Sequence, residues 1–205
     1  MKNFMSKRLF AYILDAFLIY LFILLVSGIR FINPTYDKLL EVTEKYSEAE
    51  TSYQNGDMKD DEFIKVSTQY IYDANRYNVS TNIVFMLVVF AYYGLFQKFN
   101  NGQTLGKKIM KLRVVSKDNK PVSILRYIIR TLSMYLVFFG SVIPYLLGTI
   151  LVFVLKPNLF STIYSLLVYV FLIIGIISLL MAHRRSDKKG LHDLIAGTKV
   201  IEENL

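Results

Sequence analysis

The sequence contains no cysteine and no tryptophan, and it has only four prolines in 205 residues. The absence of cysteine excludes disulfide bonds, zinc–thiolate sites, thiol catalysis and a lipid-modified cysteine anchor. Apolar residues are abundant instead, because hydrophobic types make up 54% of the chain. This content is too high for a soluble domain, and the chain is too short for a transporter with many helices. We therefore expect an integral membrane protein.

Four apolar runs are long enough to cross a bilayer, at about residues 9–30, 79–97, 128–155 and 159–182. The 21 residues of the first run, Leu9–Ile29, would form a helix of about 31 Å, which matches the hydrocarbon thickness. A cleavable signal peptide is the alternative, but the run is too long, contains Asp15 and lacks a clear cleavage site. The runs predict an all-α integral membrane protein with four transmembrane helices.

The net charge of +8 would suit a nucleic-acid-binding protein, but its distribution indicates membrane topology instead. Seventeen of the 24 basic residues fall in 1–8, 98–130 and 184–199, whereas 31–78 holds five basic and ten acidic residues. Cytoplasmic loops carry an excess of Lys and Arg. We therefore expect both termini in the cytoplasm, contact with anionic lipid headgroups on that side, and no nucleic-acid partner.

The segment 32–78 is predicted to be an extracellular helical hairpin. Two sets of apolar residues repeat at spacings of three and four, and Asn55 and Gly56 interrupt the pattern between them. The sets are Leu39, Val42, Tyr46, Ala49 and Tyr53, and Phe63, Val66, Tyr70, Ala74 and Tyr77. The alternative is a disordered acidic loop, which the regular aromatic spacing disfavours.

The segments 98–126 and 183–205 are predicted to form a small cytoplasmic cap with short strands. Thr104 is suited to cap a short amphipathic helix with Leu105, Ile109 and Leu112 toward lipid. Lysines 107, 108 and 111 would then face lipid phosphates. Two strand-like stretches, 113–115 and 198–201, are expected to pair.

The third apolar run contains Gly140, Pro144 and Gly148 at four-residue spacing. Proline removes a backbone hydrogen bond and kinks a helix, and the glycines permit close helix packing. The alternative to a kinked, closely packed helix is a broken helix that lines a binding site.

Asp15 is the one charge inside the first run, where an ionised carboxylate costs about 2.5–3.5 kcal/mol. It is expected to have a cationic partner. Arg8 lies on the same helix face but about 10 Å along the axis. Arg130, which begins the third run, is the second candidate. Arg126 and Arg130 lie one turn apart, and snorkelling to lipid phosphates is their alternative role.

No enzyme, metal site or cofactor is expected. His183, His192, Asp187 and Asp193 could suggest a metal site, but the two histidines lie nine residues apart and not at helical spacing. No nucleophile–base arrangement, phosphate-binding loop or paired catalytic carboxylate is present.

Three stretches together resemble the RDD family of bacterial membrane proteins, which is named for one arginine and two aspartates. Arg8 and Asp15 match the arginine and the aspartate of its first helix. Residues 102–115, with Gly102, Thr104, Gly106 and Lys107, resemble the motif after its second helix. Residues 190–200, with His192, Gly197 and Thr198, resemble its C-terminal motif and place the second aspartate at Asp193.

The resemblance implies a multi-pass protein of the bacterial plasma membrane that is suspected of transport. We expect it to move a small cation, a proton or another solute, with Asp15 as the titrating or coordinating carboxylate. The alternative is a membrane scaffold or accessory subunit that binds a partner through the hairpin. Four membrane-spanning helices are few to enclose a transport pathway. If the protein transports a solute, we therefore expect a homo-oligomer or a membrane partner. Asp193 is expected to clamp the C-terminal segment onto residues 102–115.

Overall fold

The computed structural model describes residues 2–136 and 140–203, and most of them are helical. Within the described residues, three helical stretches are long and apolar enough to cross a membrane: Phe4–Ser27, Val79–Phe99 and Pro157–Arg184. Many apolar side chains of the last one are exposed, including the consecutive residues Val168, Tyr169 and Val170, which lie on different faces of the helix. A helix that is apolar all round is either buried or in lipid, so this exposure fits lipid contact.

In chain order the helices before the first strand are α1 (Lys2–Ser27), α2 (Tyr36–Gln54), α3 (Asp60–Tyr77), α4 (Val79–Phe90), a π-helical segment (Ala91–Phe96), α5 (Gln97–Phe99) and α6 (Leu105–Ile109). Then follow β1 (Leu112–Ser116), α7 (Ile124–Leu132), β2 (Tyr135–Leu136), β3 (Gly140–Ser141), α8 (Val142–Leu151), α9 (Pro157–Arg184), α10 (Leu191–Ile195) and β4 (Thr198–Glu202).

The chain divides into two compact units. One contains the described residues up to Phe22, Met86–Ile143 and the chain from Tyr169 onward, and it includes β1, β4 and the short helices α6 and α10. The other contains Ile23–Phe85 and Pro144–Val168, and it includes α2 and α3.

The predicted pairing of the two strand-like stretches is confirmed. Strands β1 and β4 are antiparallel, with Val114 opposite Val200. Leu112, Val114 and Val200 form a buried cluster with Tyr127 of α7 and Ala11 of α1. Segments that are distant in sequence, α1, β1, α7 and β4, therefore share one small apolar core.

The helical hairpin over 32–78 is also confirmed. Helices α2 and α3 pack through the predicted apolar residues, since the rings of Tyr46 and Tyr70 stack at 4.3 Å and those of Tyr53 and Phe63 at 4.3 Å. Gly56 ends the first helix region with a φ of +82°, a left-handed conformation that glycine adopts readily.

The third apolar run is not the single helix that was predicted over 128–155. Helix α7 ends at Leu132, and α8 begins only at Val142, while 137–139 lie outside the described residues. Gly140 has a φ of +74°, which a right-handed helix cannot contain, and Pro144 lies in the first turn of α8, where its missing N–H is tolerated. Pro144 therefore helps to begin a helix and does not kink one.

Gly148 has the predicted packing role. A Cβ at this position would lie 2.6 Å from the ring of Tyr164 in α9. Only a glycine lets α8 approach the ring so closely. The ten residues of α8 measure about 15 Å, which is too short to cross a bilayer alone.

Candidate functional site

Asp15 lies in the middle of α1, and its side chain is fully buried. Its carboxylate accepts hydrogen bonds from the Tyr92 hydroxyl at 2.6 Å, the Thr104 hydroxyl at 2.5 Å and the Gly106 backbone N–H at 2.8 Å. Buried carboxylates persist when such donors surround them. Two of these hydrogen bonds, from Thr104 and Gly106, therefore fasten the 102–107 segment to the first helix.

Tyr92 reaches Asp15 from the π-helical segment Ala91–Phe96. Short π-helical segments recur at functional sites because the extra residue in the turn redirects side chains. The same hydroxyl accepts a hydrogen bond from the Leu105 backbone N–H at 3.0 Å. Tyr92 therefore bridges the carboxylate and the first turn of α6.

The 102–107 segment is shaped to come close to α1. Thr104 caps α6, since its hydroxyl accepts from the Lys107 backbone N–H, as the sequence predicts. A Cβ at Gly106 would overlap the Ala11 carbonyl oxygen and lie 2.8 Å from Asp15 Oδ1. Glycine at 106 is therefore what allows the backbone N–H to reach the carboxylate.

Lys107 is buried rather than facing lipid phosphates, which corrects the prediction of an amphipathic helix with all its lysines outward. Its Nζ lies 3.8 Å from Asp15 Oδ2 and 5.4 Å from the centre of the Tyr93 ring. Burial lowers the pKa of Lys107 to about 8, against the opposing attraction of Asp15. Leu112, expected toward lipid, lies in the apolar core because β1 turns inward.

Asp193, in α10, is the second fully buried carboxylate. Its Oδ2 is 2.7 Å from Arg8 Nη2, and its Oδ1 accepts from Arg130 Nε at 3.2 Å and Nη2 at 3.1 Å. The Gly190 N–H and the Thr198 hydroxyl donate to it at 3.3 and 3.4 Å. Arg8 also donates to the Lys188 carbonyl.

Charge decides the ionisation of Asp193. Burial alone would raise its pKa, but positive charge on His192 when protonated and on Arg130 and Arg8 holds the pKa well below its usual range. Burial lowers the pKa of His192 to about 3, so its imidazole is neutral at physiological pH. Near pH 7 the two arginines therefore supply the positive charge that balances the ionised carboxylate of Asp193.

His192 lies beside this pair. Its Nε2 is 3.5 Å from Asp193 Oδ2, and its Nδ1 is 3.3 Å from the Ser178 hydroxyl of α9. Ser178 accepts a hydrogen bond from the Leu191 N–H at 2.9 Å. These contacts attach α10 to the end of α9.

A cavity of about 440 Å³ is lined by the cationic partners of both carboxylates, within the unit that contains β1 and β4. Three cations, Arg8, Lys107 and Arg130, line it together with His192. Its remaining wall is mostly apolar and includes residues of α1 and α9. Among the residues that the structure describes, no Asp or Glu lines this cavity.

The structure brings most predicted site residues together but changes their pairing. Arg8 and Arg130 bind Asp193 and not Asp15, which corrects the expected Asp15–arginine pair. The helical rise explains this for Arg8, because about 10 Å of helix separates it from Asp15. Arg126 is exposed, one turn from the buried Arg130, so it does not take part in this cluster.

The motif residues have mainly structural positions. Gly102 has a φ of +84° and lies against the Val114 carbonyl, and Gly197 has a φ of +63° just before β4. Thr198 begins β4 and is fully buried. Tyr92 and Ser178 were not predicted as site residues, because a single hydroxyl in an apolar run carries no pattern that distinguishes it.

The match to a protein family decides what kind of chain this is. The model of the RDD family matches residues 3–197. The chain belongs to the RDD family. The match includes Arg8, Asp15 and Asp193, the residues identified from the sequence with the arginine and two aspartates of the RDD name.

The chain is also similar to the uncharacterized protein YckC of Bacillus subtilis (strain 168), with 33% identity over 114 residues. This similarity covers 56% of the chain and 56% of YckC, so the chain spans about half the length of that relative. No solved structure matches the chain. Of the arginine and two aspartates matched to the family name, Arg8 and Asp193 form an ion pair, and Asp15 accepts hydrogen bonds from hydroxyl and amide donors.

Proposed function

We propose that this RDD protein is a multi-pass protein of the bacterial plasma membrane that carries a small solute, with Lys107 binding and releasing a proton beside the Asp15 carboxylate during transport. The observation that carries the proposal is the pair of Asp15 and Lys107 at 3.8 Å, both buried, with Lys107 lining a cavity. Because the pKa of Lys107 is about 8, its ammonium can lose a proton near physiological pH.

A proton suits this site better than a metal cation. Both carboxylates already accept several hydrogen bonds, and the charged side chains that line the cavity are cationic. A metal ion would meet like charges in a region of low dielectric, which is strongly unfavourable. Proton transport requires a side chain that binds and releases a proton, and Lys107 can do so because its pKa is about 8. We propose no chemical transformation of the solute.

The charge asymmetry supports an orientation with both termini in the cytoplasm and the α2–α3 hairpin outside. In this orientation the proposed cytoplasmic cap consists of residues 98–126 and 183–203, which include α6, β1, α10 and β4. Four membrane crossings would require the broken segment from α7 to α8 to cross as well. Irregular backbone within a membrane is tolerated where protein covers it.

The test compares Lys107→Met with Lys108→Met in liposomes that contain a pH-sensitive dye. Lys108 is the exposed neighbour, so both variants lose one charge from the same short helix. We expect Lys107→Met to abolish proton flux and Lys108→Met to retain it. Wild-type flux should fall as the pH rises through about 8, where Lys107 loses its proton. Wild-type flux in a folded Lys107→Met protein would refute the proposal.

The second candidate is a membrane scaffold whose hairpin binds an extracellular partner. It is favoured by the exposed apolar residues Leu40 and Ile64, which lie on α2 and α3 outside the stacked aromatic seam. The exposed faces of α9 would also suit a membrane partner or a second copy of this chain. Deleting residues 36–75 should then abolish complex formation, whereas intrinsic proton flux would survive the deletion.

A further inference from the structure

The cavity beside the two carboxylates has unlike ends. Arg8, Lys107 and Arg130 lie at one end, with side chains that are 12%, 10% and 5% exposed. The rest of the wall is mostly apolar and is contributed largely by α1, β1 and α9. A site with a few placed charges and an apolar remainder is typical of small-molecule binding, and about 440 Å³ falls within the usual size range.

The buried charges of this region do not cancel. Among the described residues, three cations, Arg8, Lys107 and Arg130, accompany two carboxylates, Asp15 and Asp193, which leaves one positive charge in this cluster. An unbalanced buried charge is costly, and an anion would offset it.

The arginines also retain hydrogen-bonding capacity. A guanidinium has five N–H donors, whereas Arg130 donates through two nitrogen atoms to Asp193 and Arg8 donates through one to Asp193 and one to the Lys188 carbonyl. Planar guanidinium groups bind phosphate and carboxylate oxygens in pairs. The polar end of the cavity therefore offers donors to an oxyanion, and no carboxylate lines the cavity in the described part of the chain.

The apolar end belongs to two helices that are long enough to span a membrane. Leu172, Gly175, Ile176 and Leu179 recur at three- and four-residue spacing and so lie on one face of α9. Several wall residues are also exposed outward, with Leu9 at 46%, Ile176 at 51% and Leu179 at 57%. The cavity is therefore bordered by side chains that would meet acyl chains in a bilayer.

From this arrangement we infer that the cavity is a binding site for an anionic amphiphile, with a phosphate or carboxylate headgroup against Arg8, Arg130 and Lys107 and its acyl chain between α1 and α9. Binding at this site does not require transport. Only the identification of such an amphiphile as the transported solute rests on the proposed function.

The test uses dodecyl phosphate with the full chain in an uncharged maltoside detergent, read by native mass spectrometry and by the thermal midpoint. Dodecyl phosphate should bind and raise the midpoint, because a ligand that binds only the folded state stabilises it. Dodecanol, dodecyltrimethylammonium and inorganic phosphate are the comparison ligands. Each should bind at least about tenfold more weakly, since each lacks the charge, its sign or the chain.

Two substitutions locate the site. Gly175→Leu adds a side chain at a position of α9 that lines the cavity and should weaken dodecyl phosphate binding about tenfold or more. Val170→Leu, at an exposed position of α9 outside the cavity lining, is the matched control and should bind normally.

Several other outcomes would contradict the inference. Equal binding of inorganic phosphate would make the ligand a free oxyanion, and equal binding of dodecanol or of the cationic amphiphile would make the site merely apolar. Unchanged binding in Gly175→Leu would place the ligand elsewhere. An amphiphile that binds here while Lys107→Met retains full proton flux would refute the proposed function and leave this inference intact.

Discussion

The sharpest consequence of the buried cluster concerns Asp193. Replacing Asp193 with Asn keeps the size of the side chain but removes the negative charge that pairs with Arg8 and Arg130. The carboxylate is fully buried and the two arginines are nearly so. Breaking a buried pair by removing one partner costs about 3–5 kcal/mol, because the other charge is left uncompensated.

This loss can be measured by thermal unfolding in detergent, followed by circular dichroism. For a chain of this size each kcal/mol shifts the midpoint by about 2–4 °C, so Asp193→Asn should lower it by about 6 °C or more. Asp187→Asn is the matched control, because Asp187 forms ion pairs with Arg185 and Lys189 at an exposed site. The control should leave the midpoint unchanged, since exposed ion pairs contribute little.

The pH dependence and a double variant complete the test. Asp193 has a lowered pKa in the folded state, so its contribution is present above the unfolded pKa of about 3.9 and is lost as the pH falls below it. The difference between wild type and Asp193→Asn should be constant from about pH 5 to 8 and shrink below about pH 4. Adding Arg130→Gln should partly restore the midpoint by removing an unpaired cation. Equal midpoints for Asp193→Asn and Asp187→Asn would refute this reasoning.

Two further predictions concern the neighbouring groups. Gly106→Ala should destabilise the protein by about 1–3 kcal/mol, because the new methyl group overlaps the Ala11 carbonyl oxygen, whereas Gly94→Ala, with nothing within 4 Å of its new Cβ, should lack this overlap penalty; the thermal midpoints of the two variants measure the difference. His192 should stay neutral from about pH 8 to 5, because burial lowers its pKa to about 3, and an imidazole NMR titration with a midpoint near 6.5 would contradict this.

Periodicity predicted the parts of the fold that depend on local patterns. The spacing of Tyr46, Tyr53, Phe63 and Tyr70 predicted the hairpin, because residues three and four apart share a helix face and two such faces pack together. The strand-like stretches 113–115 and 198–201 were expected to pair, and they do so as β1 and β4. Thr104 was identified as a helix cap because its hydroxyl precedes a short helix.

Hydropathy did not predict the backbone of the third apolar run. Hydrophobic residues fill 131–155 almost continuously, but the conformation there depends on Gly140 and on where Pro144 falls within a turn. Hydropathy measures only the preference for an apolar environment, which helix, strand and turn share. A run broken into α7, β2, β3 and α8 therefore has the same hydropathy as one long helix.

The partners of the two carboxylates were out of reach for a different reason. Both arginines and both aspartates were identified, but charge alone does not say which cation meets which anion. Asp15 is held by a tyrosine hydroxyl, a threonine hydroxyl and the Gly106 N–H, none of which carries a charge. Their contribution appears only when the chain is folded and the donors converge.

The Arg8–Asp193 pair also connects the order of synthesis with stability. The two residues are separated by 185 positions, so a ribosome places Arg8 in the nascent chain long before Asp193 exists. Arg130 is also made before its partner. A truncated product that ends before Asp193 would hold two arginines without their carboxylate, and their positive charge would be left uncompensated. The last helix thereby makes the stability of the membrane domain depend on completed translation.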